Sequence, residues 1–148
     1  MRKIGLFAFL LIVFLLAVSC KQEIDCKLNI PSWAHGSWEI NGEKDSHPVK
    51  GNCKISSDDI YETTIPEIGY AKTVDWKEGL ESVKDELLDF SQSSSSSEYS
   101  FTFTVKIEGQ KYKYVYKLTK NGSYINFAEL IYVDGELASA IQGKLSPL

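Results

Sequence analysis

Along residues 101–107 every second side chain is large and apolar (Phe101, Phe103, Val105, Ile107), with Thr102, Thr104 and Lys106 between them. Strict alternation of this kind predicts a strand with one buried face. The pattern returns over residues 112–118, 124–133 and 137–145, separated by Gly109-Gln110, Asn121-Gly122 and Asp134-Gly135. Asn-Gly between apolar runs is a strong hairpin signal, because both residues tolerate positive φ. Two-residue loops at the first two turns pair 107 with 112, 105 with 114, 103 with 116, 118 with 125 and 116 with 127. One face then collects Phe101, Phe103, Val105, Ile107, Tyr112, Tyr114, Tyr116, Leu118, Ile125, Phe127, Ile131 and Val133. Two independent hairpins agree on that face, as a half-buried sheet requires. For the third, a three-residue loop with a bulge puts Leu137 and Ile141 inside and is preferred; a strict two-residue loop would turn Ala138 and Ala140 inward.

Shorter strand candidates lie at residues 33–40, 50–55 and 60–65. Trp76, Leu80, Val83, Leu87 and Phe90 follow helical spacing, with Asp75 as N-cap and Glu78 in the capping-box position. This predicts one amphipathic helix over about 76–90, followed by a serine-rich loop at 91–98. Seven to eight short antiparallel strands in a chain of 148 residues predict an all-β domain. Its form is an up-and-down barrel or a compact sandwich, with the helix as cover.

The N-terminal pattern is different. Arg2 and Lys3 precede fifteen uncharged residues, 4–18, a length that suits a signal-peptide core better than a membrane span. The stretch ends in Ala17-Val18-Ser19-Cys20. A small residue directly before a cysteine resembles the lipobox of bacterial lipoproteins, here in relaxed form because Leu16 sits one place early. The resemblance implies removal of residues 1–19 and acylation of Cys20. The product would be exported and anchored through its lipid in the bacterial cell envelope. Residues 20–32, polar and interrupted by Pro31, then read as a tether, and 33–148 as the domain.

Charge and composition narrow the partners. Lys plus Arg number 16 against 20 Asp plus Glu, a formal balance of −4. Nucleic-acid binding through clustered cations is therefore not expected. Cys26 and Cys53 remain after Cys20; export permits a disulfide between them, and two free thiols are the alternative. His35 and His47 stand in no metal-binding or catalytic spacing, and neither a Gly-x-Ser-x-Gly nor a phosphate loop occurs. No metal, cofactor or enzymatic chemistry is expected.

Gly36-Ser37-Trp38 resembles the G-x-W element of lipocalins, where the tryptophan closes the barrel floor. The resemblance implies a barrel whose mouth admits an apolar ligand. The arginine that usually packs on that tryptophan has no counterpart, with Lys144 as the nearest stand-in, and the helix comes early in the chain. Glu129 falls on the apolar face, opposite Tyr114 in the register above. A carboxyl there must be hydrogen-bonded, or else lie near a rim in reach of water. The pocket candidates are thus Trp38, Phe101, Phe103, Tyr112, Tyr114, Tyr116, Phe127 and Glu129. The expected function is a lipid-anchored, non-enzymatic binding module for a small apolar or amphipathic ligand. The alternative is an envelope interaction protein, an adhesin or structural component, with a packed core.

Overall fold

A computed structural model describes residues 23–148; the signal-like segment and Cys20 lie outside them. Nine strands form one antiparallel sheet: β1 (Gly36–Lys44), β2 (His47–Ile55), β3 (Ile60–Pro66), β4 (Lys72–Asp75), β5 (Leu87–Ser94), β6 (Glu98–Ile107), β7 (Gln110–Asn121), β8 (Tyr124–Val133) and β9 (Glu136–Pro147). Their order is β4-β3-β2-β1-β9-β8-β7-β6-β5. Two up-and-down runs therefore meet where β1 pairs with β9. The sheet curls into a half-barrel, and the seam between β4 and β5 is spanned by helix α1 (Trp76–Ser82). Among the described residues no helix is long and apolar enough to cross a membrane.

Over β6 to β8 the alternation predicts the faces correctly, with each turn one residue out and each register therefore two residues out. Val105 pairs with Tyr112 and Leu118 with Phe127, so the turns are Glu108-Gly109 and Gly122-Ser123. Glu108 (φ 50) and Gly109 (φ 87) take the paired left-handed conformation of a tight hairpin turn. Moving a register by two leaves every side chain on its own face. Ile107, at the barrel's end, is nonetheless exposed. In the third hairpin Val133 pairs with Glu136 across a two-residue turn, and the bulge comes later, where Ala138 is the extra residue. Ile141 is buried as expected, but Leu137 is exposed, ahead of the bulge that restores the inward parity.

The helix is shorter than its apolar stripe. Asp75 caps it, accepting from the Glu78 amide at 2.8 Å, but it ends at Ser82. Leu87 starts β5, which runs through the first serines to Ser94 and pairs with β6. The edge of β6 offers unpaired backbone groups, and pairing them outweighs a helical stripe that Gly79 already weakens. The predicted helix 76–90 and loop 91–98 are corrected accordingly.

Residues 23–34 are part of the domain rather than a tether. Leu28, Ile30 and Ala34 are buried. The Ile30 amide donates to the Ser57 carbonyl and the Asn29 amide to Gln92 Oε1, both at 2.9 Å. Gln92 Nε2 donates back to the Lys27 carbonyl at 2.9 Å, and the Trp33 indole donates to the Ser95 carbonyl at 3.0 Å. This strap ties β5 to the β2–β3 connection and covers the seam beside α1. Its inner end underlies the floor, where Trp38 donates to the Ala34 carbonyl at 3.1 Å. At the opposite end, the rim, lie the β1–β2, β6–β7 and β8–β9 turns and the β3–β4 connection. Gly42 and Gly143 face each other where the two runs meet; a Cβ on Gly143 would strike the Asn41 carbonyl and Gly42 Cα, so the tight curl there needs glycine.

Candidate functional site

The centre of the barrel is occupied by Trp76, the first residue of α1. Its ring meets Phe101 at 5.4 Å, Tyr116 at 5.5 Å, Phe103 at 6.2 Å and Tyr114 at 6.4 Å, all edge-on. The β6–β7 register stacks Phe101 on Tyr116 at 5.3 Å and Phe103 on Tyr114 at 4.7 Å. Edge-to-face and offset-stacked pairs favour these arrangements through the ring quadrupole. Phe101, Phe103, Tyr116 and Phe127 are consequently packed core. Trp38 lies half-buried at the floor, while Lys144 sits over the Tyr124 ring at 3.9 Å instead of on Trp38.

Two carboxyl groups lie within this aromatic interior. Glu62 on β3 and Glu129 on β8 are each 3% exposed. Glu62 accepts from the Trp76 indole at 3.3 Å and from the Tyr116 hydroxyl at 3.2 Å. It is also hydrogen-bonded to Glu129 across the barrel. Burial, then the neighbouring Glu129, pushes the Glu62 carboxyl up to about 8. Burial also raises Glu129, opposed first by the Lys72 ammonium group, then by the bond from Glu62, and last by the Lys44 ammonium group. The arrangement is a carboxylic acid on Glu62 donating to a carboxylate on Glu129, since two like charges cannot both persist in a dry interior. The Tyr116 hydroxyl is raised by burial and then by Glu62; the Cys53 thiol, opposite Glu62 in the β2–β3 register, is raised for the same two reasons.

Toward the rim the interior opens. Tyr112 and Tyr114 are half-buried, and burial followed by Glu129 raises the Tyr114 hydroxyl. Lys44 and Lys72 share the inward parity of Ile40 and Val74 on their strands, which brings both toward Glu129. Glu129 pairs with Tyr116, two residues from its expected partner Tyr114, but on the expected face. Of the sequence-derived candidates, the structure brings Tyr112, Tyr114 and Glu129 together here. Glu62 was missed, although it shares the parity of buried Ile60 and so carried a signal. Trp76 was legible only as one position of a helical stripe.

Cys26 and Cys53 are free thiols: Cys26 is on the strap near Glu81 and Lys84, while Cys53 faces the interior. The candidate disulfide is therefore not formed. Among the described residues no three His, Cys, Asp or Glu side chains gather as a metal site. Outside the barrel, a depression of about 700 Å³ lies on the outer face beside Lys106, Lys111, Lys113 and Tyr132.

No protein-family model matches the chain, and no curated protein matches it. Among solved structures, a secretary abundant heat soluble (SAHS) protein from Ramazzottius varieornatus is similar at 10% identity, over 82% of this chain and 99% of that one, with a TM-score of 0.35. A likeness of that size carries no functional argument.

Proposed function

We propose that this chain is an exported protein of the bacterial envelope, anchored through acylated Cys20, and that its barrel is a non-enzymatic binding module. The ligand is a small amphipathic molecule held at the rim end and not in the depth of the barrel. One observation carries this reading: Trp76 fills the centre, while Tyr112 and Tyr114 stay half-exposed above the buried Glu129 carboxylate. Aromatic faces would take the apolar part, and Lys44 with Lys72 would take an acidic head. The non-enzymatic reading rests on the absence of a paired nucleophile and base in the sequence.

Native mass spectrometry of the protein extracted from its own host tests the ligand. A bound small molecule should travel with the wild type and be lost from Tyr114→Ala. An unliganded wild type, or a mass retained in the variant, rejects the rim site. Labelled palmitate should enter the wild type and not Cys20→Ala. The packed centre also favours a second reading, in which the barrel is a scaffold and partners bind the lysine-lined outer depression. A protein partner lost on Lys111→Glu and Lys113→Glu, with no small molecule present, would decide for it.

A further inference from the structure

Six of the eight exposed large hydrophobic side chains among the described residues lie at the rim: Ile65, Ile68, Tyr70, Leu88, Ile107 and Leu137. They come from four separate connections, so local sequence does not explain their gathering. Ile68 and Tyr70 flank Gly69 (φ 116) at the tip of the β3–β4 connection and are 77% and 95% exposed. Clustered apolar side chains at one end of a barrel mark a surface that is covered in use.

The chain's own path names the cover. The strap begins at this same end: Glu23 lies 3.9 Å from Lys84 and beside Leu87 and Leu88 at the start of β5. Cys20 is three residues earlier, a distance of at most about 10 Å in extended chain. We infer that the rim rests on the lipid bilayer, with Ile68 and Tyr70 inserted into its interface. This rests on the acylation of Cys20 proposed above and adds an orientation to it: the mouth opens onto the membrane.

The charges specify the kind of surface. At the rim Lys44, Lys72, Lys84, Lys106 and Lys111 stand among Asp45, Glu67, Asp85, Glu86, Glu108, Asp134 and Glu136, so these connections carry no cationic excess. An anionic surface therefore gains nothing over a zwitterionic one, and the contact depends on apolar insertion.

The acylated full chain in phosphatidylcholine vesicles, with lipids brominated along their acyl chains as quenchers, tests this. Tyr70→Trp adds a reporter at the rim; Tyr61→Trp adds one near the floor, also at an exposed position. Fluorescence added at residue 70 should fall about twofold with brominated lipid, since interfacial side chains sit about 5–10 Å deep. That at residue 61 should not change, and replacing half the lipid with phosphatidylglycerol should leave both results as they are. Protein that floats with the vesicles but shows no quenching at residue 70 overturns the docking and leaves the anchor standing. Protein that does not float overturns both. A reporter at residue 70 that is shielded without any lipid quenching means that a second copy, or the chain's own N-terminal segment, covers the rim, and also overturns the inference.

Discussion

Replacing Glu62 by glutamine should flatten the dependence of stability on pH. In the unfolded chain this carboxyl titrates near its ordinary 4.5; in the fold it is held up to about 8 by burial and by Glu129. Between those values the folded state carries one more proton than the unfolded state. Stability is therefore complete at acid pH and falls as pH rises, by about 1.4 kcal/mol per pH unit. Integrated over that window the loss is on the order of 5 kcal/mol, a property of the Glu62–Glu129 pair because the two titrate together. Glutamine keeps an acceptor for the Trp76 indole and one N–H for Glu129, and its second N–H can donate to a Tyr116 hydroxyl that rotates to accept, but it cannot ionise. Urea unfolding followed by tryptophan fluorescence, at intervals from pH 4 to 8.5, should show wild type and Glu62→Gln close together at the acid end. At the alkaline end the variant should be the more stable by several kcal/mol, on the order of the loss above. The same slope in both proteins, or a variant weaker at every pH, would refute the reasoning.

Other substitutions probe the scaffold. Trp76→Ala removes the ring at the barrel's centre and one donor to Glu62, and should cost about 3–5 kcal/mol in denaturant unfolding; a loss below 1 kcal/mol would mean that the barrel closes over the gap. Leu28→Ala should cost about 2–5 kcal/mol if the strap is core, where a solvated tether would show none. Gly143→Ala should cost about 1–3 kcal/mol or more by forcing β1 away from β9. With the lipid cysteine replaced, a maleimide should label Cys26 in the native protein and Cys53 only after unfolding; protection of both until reduction would reveal a disulfide.

Parity along β6, β7 and β8 was legible in the sequence, but the start of β9 and the placement of every element were not. Alternation along β6, β7 and β8 settles which side chains face inward, because a strand repeats every two residues and no even shift of register changes that. Both hairpin registers moved by two residues, yet Phe101, Tyr116 and Phe127 stayed on the buried side. Asp75 and Glu78 likewise mark the helix start from local chemistry alone. Tertiary structure decided where that helix stops, because the edge of β6 needed a partner and residues 87–94 could supply one. It also decided that residues 23–34 seal the seam, that Trp76 fills the barrel's centre, and that Glu62 meets Glu129. These outcomes depend on which edges and faces a curled sheet leaves uncovered, and on contacts made across the barrel between distant strands, neither of which a local pattern encodes.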